Sequence, residues 1–300
     1  MRILLLISII VTLSSCNNTQ KKNNTEANSK SSVWKVEGKG TTLYLGGTIH
    51  LLRPNDYPLP TEFDIAYGRS EMVVLEADSK RLEDPEIGKI IMSRAMYPEG
   101  KGLSMSLKTE TYEALKVESA KLGVPIEQLE QFKPSVVLLT LAVVKMQQIG
   151  ISKEGVDRHY YTKAVNDKKG LAFFETAEQQ IDLMVNMGKG YEDEMVMHSL
   201  KEFEDMEEKP LAAMVAEWKN GTSELSNKWI ETMKIYYPDI YKSFLVERNA
   251  AWMPQIDQYL EDQKVEFVLV GNLHLHGADG LLKQLKNKGY KVTRVIRKTK

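Results

Sequence analysis

Leu43 to His50 reads LYLGGTIH, and Glu266 to His274 reads EFVLVGNLH. In each, an apolar run of strand length meets a glycine, and a histidine stands three residues beyond it. The repeated unit is GxxH, once as Gly47 to His50 and once as Gly271 to His274. Neither apolar run alternates with polar residues, which is the pattern of a strand covered on both faces. Met72 to Glu76 (MVVLE) and Leu171 to Glu175 (LAFFE) have the same character, and each ends in a glutamate. Tyr290 to Arg297 alternates more and reads as an edge strand. Together these runs predict an α/β fold, with a mixed, largely parallel central sheet flanked by helices and two GxxH-bearing halves.

Helical stretches are expected between the strands, over Pro60–Arg69, Leu107–Leu122, Pro134–Ile149, Gly155–Val165, Thr176–Met187 and Gly280–Lys288. Pro134 suits a first helical position, and the run VVLLTLAVV behind it is too short for a bilayer, so it reads as a buried helix. Thr176 and Gln179 have the spacing of a capping box. Tyr191 to Gln263 is helix-like, interrupted at Pro210, Gly221, Pro238 and Pro254. Because the last core strand follows it, it reads as a helical subregion of one domain spanning 33–300.

The 300 residues are 27% charged and 42% hydrophobic with a formal charge of -1, the balance of a globular protein. No dense basic stripe is present, so no nucleic-acid partner is expected. There is neither a Walker or dinucleotide glycine loop nor a GxSxG elbow. The N-terminus has another character. Met1-Arg2 precedes an apolar run from Ile3 to Leu13, and Leu13 to Cys16 (LSSC) resembles the lipobox of bacterial lipoproteins. The expectation is a signal peptide over 1–16, lipidation at Cys16 and a polar tether over 17–32, with an ordinary signal peptide as the alternative. The protein would then sit in the cell envelope, anchored to a membrane through Cys16. Asn17 behind the cysteine favours the outer membrane. Cys16 is the single cysteine, which leaves the rest of the chain without disulfides or thiolate ligands.

Open α/β sheets bind ligands beyond the carboxyl ends of their strands. Here those ends deliver His50, Glu76, Glu175 and His274. Histidine and carboxylate donors suit zinc, manganese, iron or cobalt. Two histidines and one carboxylate leave positions for water and substrate, the arrangement of metal-assisted hydrolysis, and a second carboxylate can serve as base or orient a ligand. The alternatives are ordinary: each histidine a hydrogen-bonded structural residue, and Glu175 a cap for the helix at Thr176. His276 could form a His-x-His chelate with His274, but Gly277 already turns the chain, which favours His274. His198 lies four residues from both Glu194 and Glu202 and reads as part of a surface ion pair. Asp157, in GVDRHYY, is either a helix cap or an orienting group. Arg248, in ERNAAW, either binds a substrate carboxylate, pairs with a carboxylate of the site, or lies on the surface. Asp56 to Pro60 (DYPLP) would form a rigid loop over the site.

In order along the chain, GGTIHLL, DYPLP, VVLEAD, GVDRHYYTKA, FFETAEQQ, ERNAAW and GNLHLHGADGLLKQLKNKGYKV resemble the TraB/GumN family, which includes the Tiki metalloproteases. The closing segment is the most specific. The resemblance implies an α/β protein in which His50, His274 and Glu76 hold a divalent metal, manganese or cobalt first and zinc as an alternative. Arg248 and Asn249 match the family's Arg-Asn pair and would position substrate, while Asp157 and Glu175 match recurring acidic positions. It implies a metal-dependent hydrolase, a peptidase first, with Glu76 or Glu175 assisting proton transfer. Two rivals accompany it: a non-catalytic lipoprotein binding a peptide or small molecule in the same cleft, and a hydrolase of non-peptide esters.

Overall fold

A computed structural model describes residues 30–38, 40–81, 84–148, 150–151, 153–204 and 208–297. The expected signal peptide, Cys16 and nearly all of the expected tether lie outside them. The described residues form two compact units, one of residues 30–76, 153–174 and 208–297, the other of residues 77–151 and 175–204.

The first unit is built on a six-stranded sheet. Its strands are β1 (Val33–Glu37), β2 (Thr42–Thr48), β4 (Met72–Ala77), β6 (Gly170–Glu175), β7 (Glu266–Gly271) and β8 (Lys291–Arg294). Their order is β6-β4-β7-β2-β1-β8. β7 runs parallel to β2 and to β4, while β1 runs antiparallel to β2 and to β8. The sheet is therefore mixed and mostly parallel, as the unbroken apolar runs predicted. Side chains alternate between two buried faces. Phe267 and Leu269 of β7 join Tyr44, Val73, Leu75, Phe63, Tyr160 and Trp218 on one face. Val268 and Val270 join Leu43, Leu45, Val74, Trp252 and Ile256 on the other. A separate short ribbon pairs β3 (Leu51–Leu52) with β5 (Lys153–Glu154), Leu51 opposite Glu154.

The helices of this unit follow the sequence expectations closely. Thr61–Arg69 and Val156–Asn166 cover one face, and Leu281–Asn287 is bounded by Gly280 and by Gly289 at φ +88°. The long helical region resolves into Glu208–Asn220, Glu224–Tyr236, Pro238–Tyr241, a π-helical turn over Lys242–Val246 and Glu247–Tyr259. Pro254 does not interrupt the last helix: it and Ala250 are both exposed, so water can take the carbonyl that the missing N–H leaves free.

In the second unit, Ile87 and Ala95 of the helix Pro85–Ala95 pack on Ala177, Ile181 and Val185. The apolar helix Pro134–Gln148 buries Val137, Leu138, Leu141 and Met146. Thr176 and Gln179 make the expected capping box, so Glu175 is not the cap. Of the two glutamates flanking His198, Glu194 is exposed and Glu202 is 1% exposed. No helix among the described residues is long and apolar enough to cross a membrane.

Candidate functional site

The two GxxH units start side by side. β2 and β7 are adjacent and parallel, with Thr48 opposite Gly271, so both chains leave the sheet at the same edge. A Cβ at Gly47 would press on the Asn272 side chain and force it to shift. The end of β2 is held by Trp218, whose Nε1 donates to the Gly47 carbonyl at 2.7 Å. Beyond β7, Asn272–Leu275 winds into a 3-10 turn that carries His274 into the interior, 5% exposed. Glu76, near the end of β4 on the other side of β7, accepts from the Gly271 N–H at 2.6 Å through Oε1.

The hydrogen bonds assign the His274 tautomer. Asn249 donates from Nδ2 to the carbonyls of His274 and Asp279, at 3.1 and 2.9 Å. Its Oδ1 must then accept, and His274 Nδ1 lies 2.7 Å from it, so the proton sits on Nδ1. Nε2 is left as the acceptor for Arg248 Nη1 at 3.0 Å. Burial first, then the Arg248 charge, hold this imidazole neutral, pulling its pKa down to about 3.

Arg248 is the hub. It is 8% exposed, donates to Glu76 Oε2 at 2.6 Å, and lies over the Trp252 ring at 4.6 Å, one helical turn along. Trp252 in turn packs against His274, ring centroids 4.5 Å apart. The π-helical turn immediately before Glu247 sets the phase in which Arg248, Asn249 and Trp252 face the strand ends. Of the three sequence readings for Arg248, pairing with a site carboxylate is the one realised. Burial alone would raise the Glu76 carboxyl; Arg248 overrides it and holds the group ionised, well below the usual carboxylate range.

His50 belongs to a second pair. Its Nδ1 lies 3.0 Å from Asp157 Oδ1, and the carboxylate acts on it more through its charge than through the hydrogen bond. Gly155 makes it possible. A Cβ there would strike the Ile49 and His50 carbonyls, and without one Val156 N–H donates to the Ile49 carbonyl at 3.0 Å. The helix that begins at Val156 is thereby docked on the His50 loop with Asp157 in its first turn. Burial disfavours charge on His50, but the Asp157 carboxylate, with Glu76 behind it, outweighs burial and raises the pKa to about 9. The DYPLP loop is fastened beside this pair, Tyr57 Oη donating to the Glu154 carbonyl at 2.8 Å. Glu175 closes β6, the strand beyond β4 in the sheet.

The structure thus brings His274, Glu76, Arg248 and Asn249 into one network and couples His50 with Asp157 to it. Sequence reasoning missed Gly155 as the joint and Trp252 as the shared aromatic wall. The donor set can be tested against a divalent metal. In kind it fits: both imidazoles meet a side-chain oxygen at Nδ1, as metal-ligating histidines do, and Glu76 is ionised. The position already attracts a cation, but that cation is Arg248, which holds Glu76 Oε2 and His274 Nε2. In this arrangement no three His, Cys, Asp or Glu side chains among the described residues form a ligand group. An ion would take the place of the guanidinium.

Neither the curated proteins nor the solved structures contain a match to the chain. The model of the TraB/PrgY/gumN family matches residues 32–294, nearly the whole sequence, and the chain belongs to that family.

Proposed function

We propose that the protein is a metal-dependent hydrolase of the cell envelope, that His50, His274 and Glu76 hold its divalent ion, and that its substrates are peptides. The observation that carries this is the cation-holding position at the ends of adjacent parallel strands, where an ionised carboxylate and a tautomer-fixed imidazole face the same positive group. When bound, such an ion supplies Lewis acidity for a scissile carbonyl and lowers the pKa of water. Manganese or cobalt is the first choice and zinc the alternative, all compatible with imidazole and carboxylate donors.

The chain's own groups divide the remaining work. Asn249 keeps the His274 proton on Nδ1, which leaves Nε2 basic. Asp157 orients His50 and holds its proton in the metal-free protein, a proton that ion binding would have to displace. Glu76 is too acidic to take up a proton readily near neutral pH, so its role is electrostatic. Arg248, once off Glu76, can receive a substrate carboxylate bidentately, as its planar fork allows. The LSSC stretch supports a lipid anchor at Cys16.

The test is cleavage of a peptide library, with ester substrates alongside, by purified protein loaded in turn with manganese, cobalt and zinc. Metal-dependent peptide cleavage that disappears in His50→Ala and His274→Ala is expected. Intact substrates under all three metals would refute it. A second reading, a non-catalytic binding lipoprotein, is favoured by one observation: Arg248 already satisfies the donors. Under that reading both alanine variants keep their peptide affinity.

A further inference from the structure

A cleft of about 530 Å³ lies in the sheet-bearing unit and shares no lining residue with the network around Glu76. That volume suits a small organic ligand. Trp34 of β1, Leu275, Leu282 and Val292 line it on the apolar side. Its charged groups are all cationic: Lys283, Lys286 and Arg294. The Arg294 guanidinium lies over the Trp34 ring at 4.3 Å and is fixed there by donating to the Ser31 and Gly221 carbonyls. No lining residue is acidic. The carboxylate that acts on His276 from nearby, Glu217, is taken up by the N–H groups of Leu225 and Ser226 and the Ser226 hydroxyl, at 2.7, 2.9 and 2.6 Å.

The second observation is His276. It lines the same cleft, is 8% exposed and packs edge-on against Trp34 with ring centroids 5.8 Å apart. Its buried Nε2 has no hydrogen-bond partner among the described residues. A buried polar atom without a partner is costly, and a ligand able to complete its bonding removes that cost. Apolar side chains, three cations with no acid among them, and an unpartnered imidazole nitrogen converge on one kind of occupant.

We propose that this cleft binds a small organic anion, a carboxylate or phosphate ester on an apolar, ring-sized body, with the body against Leu282 and Val292 and the anionic head among Lys283, Lys286 and His276. His276, which stands next to the catalytic candidate His274 in sequence but outside its network, then has a use of its own. The proposal does not depend on the hydrolase reading.

Isothermal titration calorimetry on the purified protein in the presence of a chelator tests it, so that no anion is held by a metal. The probes are phenylacetate, phenyl phosphate, inorganic phosphate and benzylamine. One-to-one binding of either aromatic anion is expected, and the tighter of the two identifies the head group. Lys283→Glu with Lys286→Glu, both exposed positions, should weaken it about tenfold or more while the circular dichroism spectrum stays unchanged. His276→Gln should also weaken it. Benzylamine binding as tightly as the anions, inorganic phosphate binding as tightly as phenyl phosphate, unchanged affinity after charge reversal, or no binding of either aromatic anion would each overturn the proposal.

Discussion

Glu266 opens β7, opposite Met72 of β4, and is 0% exposed. Both carboxyl oxygens are buried without a hydrogen-bond partner among the described residues. Burial, with the neighbouring charges of Asp262 and Glu71 adding to it, raises the group from 4.5 to about 7. A raised carboxyl means that between those two values the folded chain keeps a proton the unfolded chain releases. Stability therefore falls as pH rises through that window, by about 1.4 kcal/mol per pH unit at the steepest. A loss of about 1–3 kcal/mol by pH 8 is expected. Glu266→Gln has nearly the same shape and does not titrate. Urea unfolding midpoints of the two proteins, measured from pH 4.5 to 8, should show the variant gaining on the wild type steadily as pH rises. A difference that stays constant across this range would refute the reasoning. So would a wild type that gains on the variant, because that would mean an ionised Glu266 satisfied within the fold.

Three further outcomes follow from the site. Arg248→Ala removes the cation that competes for Glu76 and His274, so manganese affinity measured by equilibrium dialysis should rise about tenfold or more, while the metal-free protein loses about 3 kcal/mol of stability from the unpaired Glu76. Unchanged affinity would show that the guanidinium does not stand in the ion's place. Gly155→Ala forces the Val156 helix away from the His50 loop and should cost roughly 1–3 kcal/mol in chemical denaturation, with loss of the His50–Asp157 contact. Asn249→Leu removes the acceptor at His274 Nδ1 and should cost about 2–3 kcal/mol; nitrogen chemical shifts should show His274 leaving the single Nδ1–H tautomer, and shifts identical to wild type would contradict the assignment.

Three of the four apolar runs were legible as central strands because burial on both faces leaves no polar position in them, while the fourth, β6, is an edge strand and only partly buried. β1 was not, since VWKVE carries two charges within five residues and its pairing with β2 shows only in three dimensions. The two-residue strands β3 and β5 are too short for any period, yet they help bring the Asp157 segment to His50. Asp84-Pro85, a side-chain cap followed by proline in the first turn, was a readable start for the helix Pro85–Ala95 that went unread. At the site, the strand-end rule named His50, Glu76, Glu175 and His274, and of these the structure joins Glu76 and His274 directly through Arg248. What it could not give was the partner of Glu76. That contact joins positions 172 residues apart and depends on the phase of one helix after a π-helical turn.

The place of β7 in the sheet has a consequence for how the molecule comes into being. It lies between β2 and β4, yet it is the next-to-last strand in the chain. Until Glu266 to Gly271 have been synthesised, the earlier strands have no shared neighbour, and β1 with β2 stays apart from β4 with β6. The central pairings also span about two hundred residues of sequence, a topology that folds slowly because long loops must close before contact rewards them. His274 leaves the ribosome only three residues after the strand that joins the sheet. A chain cut short anywhere before that strand lacks both its scaffold and its site, so fold and chemistry arrive together or not at all.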